Sequence, residues 1–252
     1  MEFPQHNLFG TIQFPLSWAV SYYYFRYLPD TIAGTVMASK TRFTHAKKAV
    51  RKISFTGKLE EWSAAEKISF GDGRVQPRGR HATVYTLWDD NFLYIAFDVD
   101  RMNPRAKVTR HDGEGLWLDD GVEFLIDPMN DGGEYCMRDD IAYHINLLNV
   151  VYDERGTGEK KADASWVGSA VHEVKLKTDA DGVTTGYICE VGVPWVELGI
   201  TPVEDRTVMG IDFCVNGTDD ETGNYHYFDW AGLKLFHHPD GFGLLELVSG
   251  PL

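Results

Sequence analysis

Apolar and polar positions alternate with a period of two along most of this chain from Val50 onward, the pattern of strands with one face buried. Ala82 to Trp88 and Phe92 to Val99 are two such runs, with Asp89-Asp90-Asn91 between them as a hairpin signal. Leu93 to Phe97 is apolar on both faces, which predicts a strand at the sheet centre. Further strands are predicted at Val122–Ile126, Ile141–Tyr152, near Ala170–Lys177, and at Gly186–Val193. Val208–Val215, Tyr225–Asp229 and Phe242–Val248 complete the set. Ile53–Gly57 reads as a short strand and turn, and Lys58–Ala65 as a helical turn. Pro194–Gly199 reads as a short helix with Pro at its first position and Gly past its end. So many strands with so little helix predict an all-β fold, an antiparallel β-sandwich of the jelly-roll or immunoglobulin-like kind, over residues 41–252. Residues 1–40 break the pattern. Their aromatic run, Tyr22-Tyr23-Tyr24-Phe25 within a β-forming context, predicts an extended arm on the domain or on a neighbouring subunit.

The alternation sorts three strands into faces. Val122, Phe124 and Ile126 oppose Glu123, Leu125 and Asp127. Tyr143, Ile145 and Leu147 oppose Ala142, His144, Asn146 and Leu148. Ile211, Phe213 and Val215 oppose Asp212, Cys214 and Asn216. If the apolar faces form the core, Glu123, His144, Asn146, Cys214 and Asn216 line the opposite surface. Trp117 and Trp230, in less regular segments, are placed to wall it. A ring beside a directed carboxylate suits a sugar, which has an apolar C–H face and a rim of hydroxyls. The same alternation also describes an ordinary solvated face, since antiparallel sheets commonly show one face to water.

Charge and composition narrow the partners. The formal net charge of −14 argues against nucleic acid or an anionic membrane, both of which reward clustered Lys and Arg. No run approaches the length of a membrane-spanning helix. No clear signal peptide is present: Glu2 is acidic, and no Lys or Arg precedes Arg26. Cys136, Cys189 and Cys214 have no metal-binding spacing, and their odd number argues against a full disulfide framework.

Several strings, taken in order, carry a resemblance. They are Ile53 to Trp62, Trp88 to Val99, Trp117 to Asp127, Tyr187 to Trp195, Gly210 to Asn216, Asp229-Trp230 and Pro239 to Leu245. Together they resemble the family 9 carbohydrate-binding modules and their DOMON-like relatives over about residues 50–248. The resemblance implies a β-sandwich that binds oligo- or polysaccharide without hydrolysing it, in an extracellular or periplasmic setting. It implies a terminal sugar held between two tryptophans, with Trp117, Glu123 and Trp230 on the matching positions and Asn216 on an amide position. His144 and Cys214 stand where the family carries an arginine and a glutamine. Imidazole lacks the fixed fork of donors that a guanidinium offers. The resemblance also implies structural calcium, for which Asp127, Asn130, Asp131, Asp139 and Asp140 crowd one loop, without EF-hand spacing.

Three other readings compete. Asp119 or Asp120 with Glu123 would make a glycosidase pair, but acidic turns are common, and the chain is read as a non-enzyme. Some relatives hold haem; Met102, Met129, Met137 and the His237-His238 pair offer ligands, yet no spacing pairs them and no haem is expected. In the third, the arm adds a strand to a neighbouring subunit and the chain self-associates as an assembly subunit. The sequon Asn216-Gly217-Thr218 is read as chance, because a glycan there would block the proposed site.

Overall fold

In the computed structural model, residues 42–74, 79–219, 222–233 and 237–250 are described. The expected arm lies outside the described residues. Twelve strands form one curled mixed sheet: β1 (Phe43–Lys48), β2 (Glu66–Gly71), β3 (His81–Trp88), β4 (Phe92–Asp100), β5 (Gly121–Asp127) and β6 (Ile141–Asn146), then β7 (Val151–Arg155), β8 (Val171–Thr178), β9 (Thr184–Pro194), β10 (Val208–Thr218), β11 (Tyr225–Asp229) and β12 (Gly243–Val248). The hydrogen-bonded path runs β7-β6-β5-β10-β12-β1-β3-β4-β9-β8, with β11 on β10 and β2 on β3. The two ends of this path fold over one another as the layers of a sandwich. Phe97 of β4 meets Phe213 of β10 edge to face at 5.9 Å, and the Tyr187 hydroxyl of β9 donates to the Gly121 carbonyl of β5 at 2.9 Å.

The all-β expectation holds, with one refinement of the antiparallel pattern. β1 pairs in parallel with both β12 and β3, and so joins the two layers. Among the described residues there is no α-helix. The helical turn expected at Lys58–Ala65 is a 3-10 turn over Leu59–Trp62, and of the helix expected at Pro194–Gly199, Pro194 ends β9 and residues 195–199 form turns. The long strand expected over Ile141–Tyr152 is a hairpin instead. Asn146 Oδ1 accepts from the backbone N–H of Leu148 and of Val150, and Asn149 takes a left-handed φ of 60°, so the chain reverses there.

The core follows the alternation. Val122, Phe124, Ile126, Tyr143, Ile145, Ile211, Phe213 and Val215 all point between the layers and are almost fully buried. The opposite faces are not left bare. Residues 49–65 cross the outside of β3 and β4, packing Ile53 and Trp62 onto Tyr85, Leu87 and Tyr94. Trp62 Nε1 and the Gly57 N–H both donate to Glu190 there, at 2.9 and 2.6 Å. On the other layer, Phe242 and Leu233 pack on Leu125, Ala142 and Cys214.

Candidate functional site

The face expected to be polar is polar, but much of it is buried, with Leu233, His237 and Phe242 from between β11 and β12 packed on it. One register row runs across it: Tyr152 of β7, His144 of β6, Glu123 of β5, Cys214 of β10 and Asp229 of β11. Glu123 is 0% exposed, and its oxygens are taken up by three side chains. His144 Nε2 lies 2.9 Å from Oε1 and His237 Nε2 lies 3.4 Å from the same oxygen. Asn216 Nδ2 donates to Oε2 at 3.1 Å and is 3.1 Å from His144 Nδ1. His237 Nδ1 in turn meets Glu154 Oε1 at 2.9 Å.

Burial alone pushes the Glu123 carboxyl up, but His144 and His237 beside it outweigh that and hold it at about 2. Burial alone pulls the His237 imidazole down. Its bonds and charge pairing with Glu123 and Glu154 prevail, and raise it to about 10. The centre of this face is therefore an ionised, hydrogen-bonded cluster.

Aromatic rings border it. Gly115, at φ 81°, starts the 3-10 turn Leu116–Leu118 that carries the half-buried Trp117. The Trp117 ring meets Tyr152 edge-on at 5.5 Å, and Tyr152 meets His144 at 5.7 Å. On the β11 side, Tyr225 is exposed and stacks on Tyr227 at 5.6 Å, with its hydroxyl 3.4 Å from Asn216 Oδ1.

Trp230 corrects the sequence expectation. It is 5% exposed and belongs to the core, tilted against Phe213 at 5.6 Å. Gly243 makes room for it: a Cβ there would stand 2.4 Å from the indole. With that indole inside the hydrophobic interior, the expected slot between Trp117 and Trp230 is not formed. Asn146 also leaves the cluster. Its amide donates to the Val108 carbonyl and to Asp119, and its oxygen closes the hairpin turn. Cys214 is fully buried on an apolar floor, and burial drives its thiol well above the usual range. Asn216 is 2% exposed, so the sequon is not presented on the folded surface.

Asp119 and Asp120, weighed above as catalytic partners of Glu123, are structural. Asp119 caps the N–H groups of Lys107 and Val108. Asp120 sits between Arg80 and Arg101, at 3.5 and 3.2 Å, and accepts from the Arg105 N–H. Glu154, Tyr152 and Tyr225 are site residues the sequence reading missed, and His237 was weighed there only as a haem ligand. Tyr225 and Tyr227, two apart on a strand, carried a readable signal; the approach of His237 from a distant loop carried none.

A second cluster lies at the other end of β5. Carboxylate oxygens of Asp127, Asp131, Asp139 and Asp140 all fall within 4.8 Å of one another. Asn130 takes a left-handed φ of 49° that turns the loop around them. Asp127 accepts from the N–H groups of Asp131 and Gly132, and Asp140 from that of Met137. Asp139 Oδ2 and Asp140 Oδ1 are buried with no hydrogen-bond donor. Burial, then repulsion from the neighbouring aspartates, raises Asp140 to about 9; burial raises Asp127 to about 6. Crowded carboxylates with unsatisfied oxygens fit a hard, oxygen-loving cation. All three cysteines are free thiols.

A two-layer β-sandwich with a half-exposed indole beside a polar cluster has the form of a small-molecule binding module. Residues 57–250 match the family described as carbohydrate family 9 binding domain-like, and the chain belongs to that family. The family is one of non-catalytic binding modules. Among curated proteins the chain is 28% identical over 200 residues to endo-1,4-beta-xylanase A of Thermoanaerobacterium saccharolyticum. It is 27% identical over 198 residues to endo-1,4-beta-xylanase A of Thermotoga maritima. Each match covers 77% of this chain, but only 15% and 17% of the respective enzyme. The fold resembles a family 9 module from Caldicellulosiruptor kristjanssonii in complex with cellotriose, at TM-score 0.62 and 20% identity, covering 83% of this chain and 95% of that one. It also resembles a putative carbohydrate-binding protein from Bacteroides uniformis, at TM-score 0.61 and 16% identity, covering 82% and 99%. No helix among the described residues is long and apolar enough to cross a membrane.

Proposed function

We propose that this chain binds the end of a β-linked polysaccharide, seating one sugar ring on Trp117. Tyr225 takes the role of second wall that the sequence suggested for Trp230. The observation that supports this most is the placement of Trp117, half-exposed and braced through Tyr152 onto His144, at the rim of the Glu123 cluster. Ring stacking covers the sugar's C–H face, while His237, Glu154 and the Tyr225 hydroxyl supply polar partners at the edge. Glu123 itself is buried, so its part is to hold His144, His237 and Asn216 in place rather than to meet a hydroxyl directly. The related xylanases and the cellotriose complex make cello- and xylo-oligosaccharides the first ligands to try. An extracellular setting follows from such a ligand.

The Asp127–Asp131–Asp139–Asp140 cluster, in the same reading, holds a structural calcium that would tie the β5–β6 loop together. Calorimetric titration of cello- and xylo-oligosaccharides into the wild type and Trp117→Ala tests the saccharide site. Weak saturable binding by the wild type, lost in the variant, is expected. Equal binding by both proteins would remove Trp117 from the site.

A further inference from the structure

We infer that Glu123, His144 and His237 form a binding site for a zinc-class divalent metal. The inference goes beyond saccharide binding and stands without it. One ligand atom of each residue lies within 4.8 Å of the others, and Nε2 of both imidazoles converges on the same carboxylate oxygen, Oε1. The separations of 2.9 and 3.4 Å bracket the roughly 3.3 Å between ligand atoms of a tetrahedral zinc with bonds near 2.0 Å. Two imidazoles and one carboxylate suit zinc, whereas calcium takes oxygen ligands.

The surroundings supply what such ligands require. A metal-bound imidazole donates its other N–H to a partner that fixes the ring. His237 Nδ1 has such a partner in Glu154 at 2.9 Å, whereas His144 Nδ1 faces the Asn216 amide nitrogen, a donor, at 3.1 Å. Metal entry displaces the Nε2 protons of both rings. That of His144 moves to Nδ1, which requires the Asn216 amide to turn over: it gives up its bond to Glu123 Oε2, presents its carbonyl oxygen to Nδ1–H and turns its Nδ2 toward the Tyr225 hydroxyl. That of His237 passes to solvent, leaving Nδ1–H on Glu154. A divalent ion with two neutral imidazoles then balances the charges of Glu123 and Glu154. Beside the ligands the floor is apolar, with Leu125, Ala142, Cys214 and Phe242 packed together. His237 reaches the cluster from a left-handed backbone, φ 58°, a conformation unusual for any residue but glycine. Its side chain is 28% exposed, so the cluster borders solvent on that side.

The test is a zinc titration of the full chain, followed by calorimetry, with no saccharide present and calcium in excess to occupy the aspartate cluster. Cobalt is used in parallel for its visible spectrum. We expect one zinc per chain and a four-coordinate cobalt spectrum. His144→Ala and His237→Ala should each abolish both signals, and Glu154→Gln should weaken zinc about 10–100-fold. Asp139→Asn should leave zinc binding intact. His237→Ala removes a partly exposed ring, and its thermal melt shows whether it is folded. Absence of saturable binding, binding unchanged in folded His237→Ala, or binding lost in Asp139→Asn would each overturn the site. In the first case the cluster is only a self-neutralising ion network.

Discussion

Glu123 and His237 depend on one another for their charge, and stability should record this in opposite directions. The Glu123 carboxyl is held at about 2, so its contribution is present above its unfolded value near 4.5 and is lost as pH falls toward 2. The His237 imidazole is held at about 10, so its contribution is complete below its unfolded value near 6.5 and is lost as pH rises toward 10. Thermal melts should therefore show a decline between pH 6.5 and 10 that flattens in His237→Ala. Parallel curves for the two proteins would contradict the pairing. The two tryptophans should separate by effect. Trp230→Phe removes core volume and should cost about 1–3 kcal/mol in denaturant unfolding while sparing ligand binding. Trp117→Ala should leave stability nearly unchanged. The sequence could not distinguish these indoles, because both stand in irregular segments. What decides is Gly243, whose bare backbone admits the Trp230 ring, and that neighbour is remote along the chain.

At the scale of elements, the strands at the sheet centre were legible because their two faces carry such different residues. β4 and β5 appear within one residue of where alternation puts them. Failures came where a single side chain changes the backbone's course. Asn146 continues the alternation of β6 in the sequence, yet its amide turns the chain by binding Leu148 and Val150. Asn146→Ala would leave those N–H groups and Asp119 without their partner, and should cost about 2–3 kcal/mol in denaturant unfolding. A change below about 0.5 kcal/mol would show that the turn forms without it. The β5–β6 loop gives a different kind of prediction. Asp127 and Asp140, raised by burial and by repulsion from neighbouring aspartates to about 6 and 9, favour the protonated folded state. The sign is the reverse of a paired carboxylate: stability is gained as pH falls and lost as it rises through these values. The proposed calcium would compete with those protons. Its increment in melting temperature should grow from pH 5 to pH 8 and vanish in Asp140→Asn. An increment independent of pH would place calcium elsewhere.

For the molecule as a whole, the sequence made the sandwich plain but not its covering. The polar face of β5, β6 and β10 was expected to meet solvent or a ligand. Instead Leu233, His237 and Phe242, from between β11 and β12, lie over part of it, with Phe242 on Leu125 and His237 on Glu123. Such a cover depends on contacts between residues about 115 apart, which no local pattern records. The chain spans 15–17% of the xylanases it resembles, so the prediction concerns a binding module and not their catalysis. At the rim stand the half-exposed Trp117 and, across the cluster, the exposed Tyr225. The most direct measurement is the affinity of cello- and xylo-oligosaccharides for the wild type, Trp117→Ala and Trp230→Phe under one set of conditions. Loss of binding by about tenfold or more in Trp117→Ala, with Trp230→Phe close to wild type, is the predicted result. Binding that survives in Trp117→Ala and disappears in a folded Trp230→Phe would contradict it.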